Sequence, residues 1–311
     1  VNREPENGLA WARLAELFQA LRAAGYRIQG PQVRQGVLQF DELTDPAQLP
    51  VGVRQVQAPG VSRLRSPDSN PGPDGPSGHA MSLPTRADAA HDAPLPDVSP
   101  VVPPPTCTEP PATASAPDQA DPPTRASAPA TAAALDDQRC FAWANGPQAL
   151  KPLNFAPTEP LWRVSDPANP GFAPIIPEVT PLAVIGVRAC DLAALALQDR
   201  HFLGGARPDP WYQARRAQLF LIGVDCSHPA DTCFCASTGD GPALGEGFDL
   251  GLTELDEGFL IRAGSDRGTA VLADLSTAPP TTAQLAAAAH QATAAVQVQT
   301  RRLPAPEVTH S

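Results

Sequence analysis

The sequence predicts an α/β fold: a single mixed α/β domain with a parallel βαβ core, interrupted by a long Pro/Ala-rich disordered insertion. Two observations set the class. Leu182–Val187 (LAVIGV) and Leu219–Val224 (LFLIGV) are unbroken apolar runs of six residues, the pattern of strands buried on both faces. Between them lie a capping Asp191 and a second helix start at Asp209–Pro210–Trp211, so the connection is a crossover and the two strands should be parallel neighbours. A third observation sets the organisation. Of 39 prolines, 17 fall within Ser66–Ala134, and no aromatic residue occurs between Phe40 and Phe141. Such a stretch cannot bury enough apolar surface to offset its conformational entropy, so it should be disordered, as a linker, a docking tail or a tolerated insertion.

The elements follow in order. Leu14, Leu17, Phe18 and Leu21 recur at helical spacing, and Gly25 ends that helix. An extended Tyr26–Gln29, a turn at Gly30–Pro31, Gln32–Arg34 and, after Gly36, the alternating Val37–Phe40 come next. Residues 1–65 thus form an N-terminal α+β part too small to stand alone, and residues 66–138 form the insertion. Residues 139–300 are the cysteine-loop part of the same domain. There the Leu182–Val187 strand leads to a helix with Leu192 and Leu195 on its apolar stripe, broken at Gly204–Gly205. The Asp209-capped helix and the second apolar strand follow. Phe248–Leu255 and Phe259–Ala263 flank a hairpin turn at Asp256–Glu257–Gly258, and an alanine-rich helix spans Thr282–Val298. Residues 301–311 are a tail.

Composition removes several functions. A net charge of −11 argues against nucleic-acid binding, which needs a basic face. The longest apolar runs, at six residues, fall far short of the ~20 that span a bilayer, and Val1–Glu6 has no leader pattern behind it. The expectation is a cytoplasmic protein with no membrane span, in which cysteines stay reduced and a cluster of them means metal or redox chemistry. No Ser–His–Asp set, paired-carboxylate motif or phosphate-binding loop is present, so no independent catalytic site is assigned.

Four of the six cysteines sit at one place in this scheme. Cys190 lies three residues after the first strand and Cys226 two after the second, with Cys233 and Cys235 in the same loop, giving C-x6-C-x-C. Parallel neighbours release both loops at their shared carboxyl edge, where open α/β sheets bind ligands. Four thiolates there would suit a [4Fe–4S] cluster or tetrahedral zinc. Structural zinc sites favour C-x2–4-C knuckles, and Cys233–Phe234–Cys235 is tighter than that, which leans toward the cluster. The bland alternative is four small hydrophobes beside strand ends. His228 could be a ligand or tune the centre, while Arg215 and Arg216 could meet its charge or form a solvated helix face. Cys107 and Cys140 have no role.

From Val184 to Gly268 the chain resembles the β subunits of sulfhydrogenases and the related A subunit of anaerobic sulfite reductase. The matching pieces include Gly186–Val187–Arg188–Ala189–Cys190–Asp191–Leu192, Asp209–Pro210–Trp211–Tyr212, Gly223–Val224–Asp225–Cys226 and Thr232–Cys233–Phe234–Cys235–Ala236–Ser237. Gly146–Pro147–Gln148 with Lys151 is similar to an earlier block of that family. The resemblance implies an iron–sulfur electron-transfer subunit, relaying electrons between a flavin- and NAD(P)-binding reductase partner and a hydrogenase or sulfite reductase catalytic subunit. It carries Cys190, Cys226, Cys233 and Cys235 over as cluster ligands, with Asp191 replacing or assisting a thiolate. Ala189 departs from the family's proline. The family's C-x2-C-x2-C-x3-C-P ferredoxin-like motifs are missing, and the chain stops at Ser311, about where they would begin. A truncated or split subunit is therefore expected, and no two-cluster relay is assigned. The other readings are a zinc-stabilised or metal-free scaffold of such a complex, or a nonfunctional remnant.

Overall fold

The computed structural model describes residues 7–58, 61–65, 138–144, 150–164 and 171–303. The proline-rich insertion lies, but for Gln138, outside the described residues, as do Cys107 and Gly146–Pro147–Gln148. The described strands are β1 (Asn7–Ala10), β2 (Arg27–Arg34), β3 (Val37–Glu42), β4 (Arg54–Ala58), β5 (Val61–Arg65), β6 (Trp162–Val164), β7 (Phe172–Pro174), β8 (Leu182–Val187), β9 (Leu219–Val224), β10 (Leu250–Leu255) and β11 (Gly258–Ala263). The α-helices are α1 (Leu14–Ala23), α2 (Lys151–Asn154), α3 (Ala189–Leu203), α4 (Pro210–Ala217), α5 (Cys235–Thr238), α6 (Asp266–Ala273) and α7 (Thr282–Gln297).

Seven strands make one mixed sheet in the order β1–β11–β10–β9–β8–β2–β3, as the α/β class requires. β10, β9, β8 and β2 run parallel, with Val184 opposite Leu221 on one side and Gln29 on the other. β11 and β3 are antiparallel additions, and β1 closes the β11 edge. The apolar runs explain the centre. Alternate residues of β8 and β9 feed two cores: Ala183, Ile185, Phe220, Ile222 and Val224 meet α1, while Val184, Val187, Leu219 and Leu221 meet Leu192 and Leu195 of α3. Each fully buried Leu or Phe among them stabilises the fold by about 1.5–3 kcal/mol.

Local signals place the helices. The Asp209 carboxylate accepts the N–H groups of Trp211 and Tyr212 at the start of α4. Thr281 and Gln284 form a reciprocal capping box for α7, which matches the alanine-rich helix to within a residue. Asp191 is a correction. α3 begins earlier than expected, Arg188 is its N-cap, and Asp191 sits in the first turn with its carboxylate accepting the Arg188 N–H at 3.0 Å.

The expected turn at Gly30–Pro31 is also corrected, because β2 runs straight through both residues. Pairing with β8 stops at Gln29–Val184, so the missing N–H of Pro31 costs no ladder bond on that side. β8 bulges between Ile185 and Val187, and Gly186 adopts a φ of +95°. A Cβ there would lie 3.2 Å from the Pro31 ring and 3.3 Å from Phe141, so the proline packs where a side chain would stand. β1, β4, β5, β6, β7, α2, α5 and α6 are additions with no counterpart in the sequence reading.

Candidate functional site

β8 and β9 end side by side, and the chain leaves each toward the same edge. From β8 it passes through Arg188 into α3, which places Cys190 in the first turn. From β9 it passes through Asp225 to Cys226 and then through a loop to Cys233, Cys235 and the single turn α5. Asp225 ties that loop to the sheet: one carboxylate oxygen accepts the Leu244 N–H at 2.7 Å and the other the Thr253 hydroxyl at 2.5 Å. The Cys226 N–H donates to the Pro242 carbonyl, and the Ala230 N–H to the Cys233 sulfur at 3.3 Å.

The two loops touch at Gly241. Its φ is +158°, and a Cβ on it would fall 3.2 Å from both the Cys235 Sγ and the Ala189 Cβ. A side chain there would press on both and sit in a backbone conformation that L residues rarely adopt. The chain beyond α7 adds a strap. The Gln299 side-chain carbonyl accepts the Ala236 N–H at 3.1 Å and faces the Cys235 thiol at 3.5 Å, while Arg301 donates to the Asp231 carbonyl and the Leu303 N–H to the Ser237 hydroxyl.

Cys190 and Cys233 each lie within electrostatic reach of Cys226 and Cys235. Burial pushes Cys190 up to about 12, and charge on Asp191, Cys235 and Cys226 adds to the rise, although the residue has an exposed side. Burial likewise raises Cys226, Cys233 and Cys235, with Cys226 and Cys235 raising Cys233 further and Cys226 raising Cys235. As neutral thiols they need a bound cation to become thiolates, so metal uptake here would release protons. Among the described residues no group of three His, Cys, Asp or Glu side chains is placed to hold a metal ion.

Beneath the thiols lies Arg188, 1% exposed. Its guanidinium donates to the carbonyls of Phe141 (2.7 Å), Trp143 (2.8 Å), Asp225 (3.1 Å) and Val224 (3.4 Å), and stacks 4.5 Å over the Trp143 ring. It therefore joins the ends of β8 and β9 to the Phe141–Trp143 segment. Nearby, buried Glu254 accepts the Cys140 and Phe141 N–H groups.

Arg215, Arg216 and Cys140 fall elsewhere. Arg215 pairs with Glu159 and Arg216 with Asp199, both partly buried, so neither is a solvated face. The His228 ring meets the Ser227 hydroxyl at 2.9 Å while its backbone N–H faces the Cys226 sulfur, and Cys140 is a buried core residue. Sequence reasoning passed over Gln299, Glu254 and the inward course of Arg188. Arg188 had a signal, a charged residue directly after a fully apolar strand; the isolated Gln299 had none.

Donor chemistry tests the implied cofactor. Four soft sulfur donors from two loops, with the Asp191 and Asp225 carboxylates and the buried Arg188 cation near them, are the donor type that an iron–sulfur centre would use. Compared with known proteins, the chain is 40% identical over 85 residues to sulfhydrogenase 2 subunit beta of Pyrococcus furiosus. The match takes in 27% of this chain and spans a quarter of that protein's length, 25%, which supports a distant relationship. No protein-family model matches, and no solved structure does.

Proposed function

We propose that this chain is an iron–sulfur electron-transfer subunit of a redox complex of the sulfhydrogenase or anaerobic sulfite reductase type. In this reading it relays electrons between a flavin- and NAD(P)-binding reductase subunit and a hydrogenase or sulfite reductase catalytic subunit. The observation that supports it is that the loops bearing Cys190 and Cys226–Cys235 leave the carboxyl ends of two adjacent parallel strands. The distant relationship to a sulfhydrogenase β subunit supports the same class of complex. Bound there, a [4Fe–4S] cluster would accept and release single electrons.

The protein's own residues supply the setting. The four cysteines provide the ligands, with Asp191 beside Cys190 as an assisting carboxylate once it gives up the Arg188 N–H. Gln299 and the Asp225 anchor hold the loop that carries three of the cysteines. Phe234, 45% exposed between Cys233 and Cys235, would shield the solvent side of a bound centre. Zinc is the weaker occupant, because structural zinc sites favour C-x2–4-C knuckles and Cys233–Phe234–Cys235 is tighter than that. Metal and sulfide analysis of anaerobically purified protein tests the proposal. It predicts about four iron and four sulfide per chain with broad visible absorption; one tightly held zinc and no iron would overturn it.

A further inference from the structure

We propose that Arg188 is the fixed counter-cation of the cysteine site, a positioning residue whose buried charge stabilises an anionic thiolate-bound centre and raises its reduction potential. The inference rests on the iron–sulfur reading and assigns this residue a role within it.

A guanidinium taken out of water is costly unless it is paired. Here the hydrogen bonds go to four neutral backbone carbonyls, and Nε has no partner among the described residues. The nearby acids have other bonds. Asp191 accepts the backbone N–H of Arg188, Asp225 accepts Leu244 N–H and the Thr253 hydroxyl, and Glu254 accepts Cys140 and Phe141 N–H. Two of the four carbonyls belong to Val224 and Asp225, directly before Cys226, and Arg188 itself stands two residues before Cys190. The cation is thus locked at the root of both cysteine loops, and its charge pulls against the burial that raises Cys190, Cys226 and Cys233. Glu254 and Asp191 offset part of this charge; four thiolates would supply the rest. Each electron gained by the centre adds one negative charge beside the cation, so the reduced form benefits more than the oxidised form.

The test compares Arg188→Lys, which keeps the charge, with Arg188→Gln, which keeps donors and loses it. Both are made in the full chain, reconstituted anaerobically and titrated with dithionite while the cluster's electron paramagnetic resonance signal is followed. Arg188→Gln is expected to shift the reduced-to-oxidised ratio at a set potential about tenfold toward oxidised, 59 mV for a one-electron couple, with Arg188→Lys within about twofold of wild type. An unchanged potential in a folded, cluster-bearing Arg188→Gln protein overturns the inference and leaves the iron–sulfur reading standing. Should Arg188→Gln fail to fold, Arg188→Lys decides alone, since a tenfold shift with the charge retained overturns the inference too. A wild-type chain that takes up no cluster defeats the underlying reading instead.

Discussion

Glu254 gives the strand beneath the cysteine site a measurable pH dependence. Its side chain on β10 has no exposure, and its two oxygens accept the N–H groups of Cys140 at 2.6 Å and Phe141 at 2.9 Å. Burial raises the carboxyl from 4.5 to about 7, outweighing those two bonds and the positive charges of Arg139 and Arg188. The folded protein therefore holds this proton more tightly than the unfolded chain. The stabilisation is complete below about pH 4.5 and is lost as the pH rises through 7. At 1.36 kcal/mol per pH unit, the shift is worth about 3 kcal/mol. In Glu254→Gln the titration disappears, while a fixed penalty enters because the amide NH2 confronts a backbone N–H. Urea unfolding of both proteins between pH 5 and pH 8 isolates the carboxyl. The wild-type advantage over the variant should shrink by about 2.5 kcal/mol across that range. An advantage that stays constant with pH would refute the reasoning.

Three further outcomes follow from the same geometry. Gly186→Ala forces a Cβ against Pro31 and Phe141 at a φ of +95° and should cost about 1–3 kcal/mol in a urea melt. Phe220→Ala empties a site with 0% exposure between β9 and α1 and should cost about 3–5 kcal/mol by the same measurement. Cys226→Ser should leave a folded chain, by circular dichroism, that retains less than half of the wild-type iron and sulfide after anaerobic reconstitution; full retention would remove Cys226 from the ligand set.

What could be read from the sequence tracks how local each signal is. β8 and β9 are legible because burial on both faces demands unbroken apolar residues, and the Asp209 cap is legible because its partners lie within three residues. The parallel pairing, and with it the common edge of the cysteine loops, follows from the helical connection alone. β1 is different: four residues gain strand geometry through β11 and through a bridge from Gly8 to Ala278, both far along the chain. Gly30–Pro31 carries the letters of a turn, yet tertiary packing against Leu43 and the Gly186 bulge keeps it extended. Asp191 reads as a cap by composition, and its place in the first turn is set by where β8 hands over to α3. The inward fold of Arg188 onto four carbonyls, and the reach of Gln299 to Cys235 and Ala236, depend on contacts between segments that no local pattern encodes.

The central claim, that Cys190, Cys226, Cys233 and Cys235 hold one redox-active cluster, is tested most directly by electron paramagnetic resonance of the anaerobically reconstituted, dithionite-reduced chain. The account predicts a signal from a single reduced cluster of about one spin per chain in wild type, lost when Cys233 is replaced by Ser. A silent spectrum from wild type loaded with stoichiometric zinc, or an undiminished signal in Cys233→Ser, would contradict it.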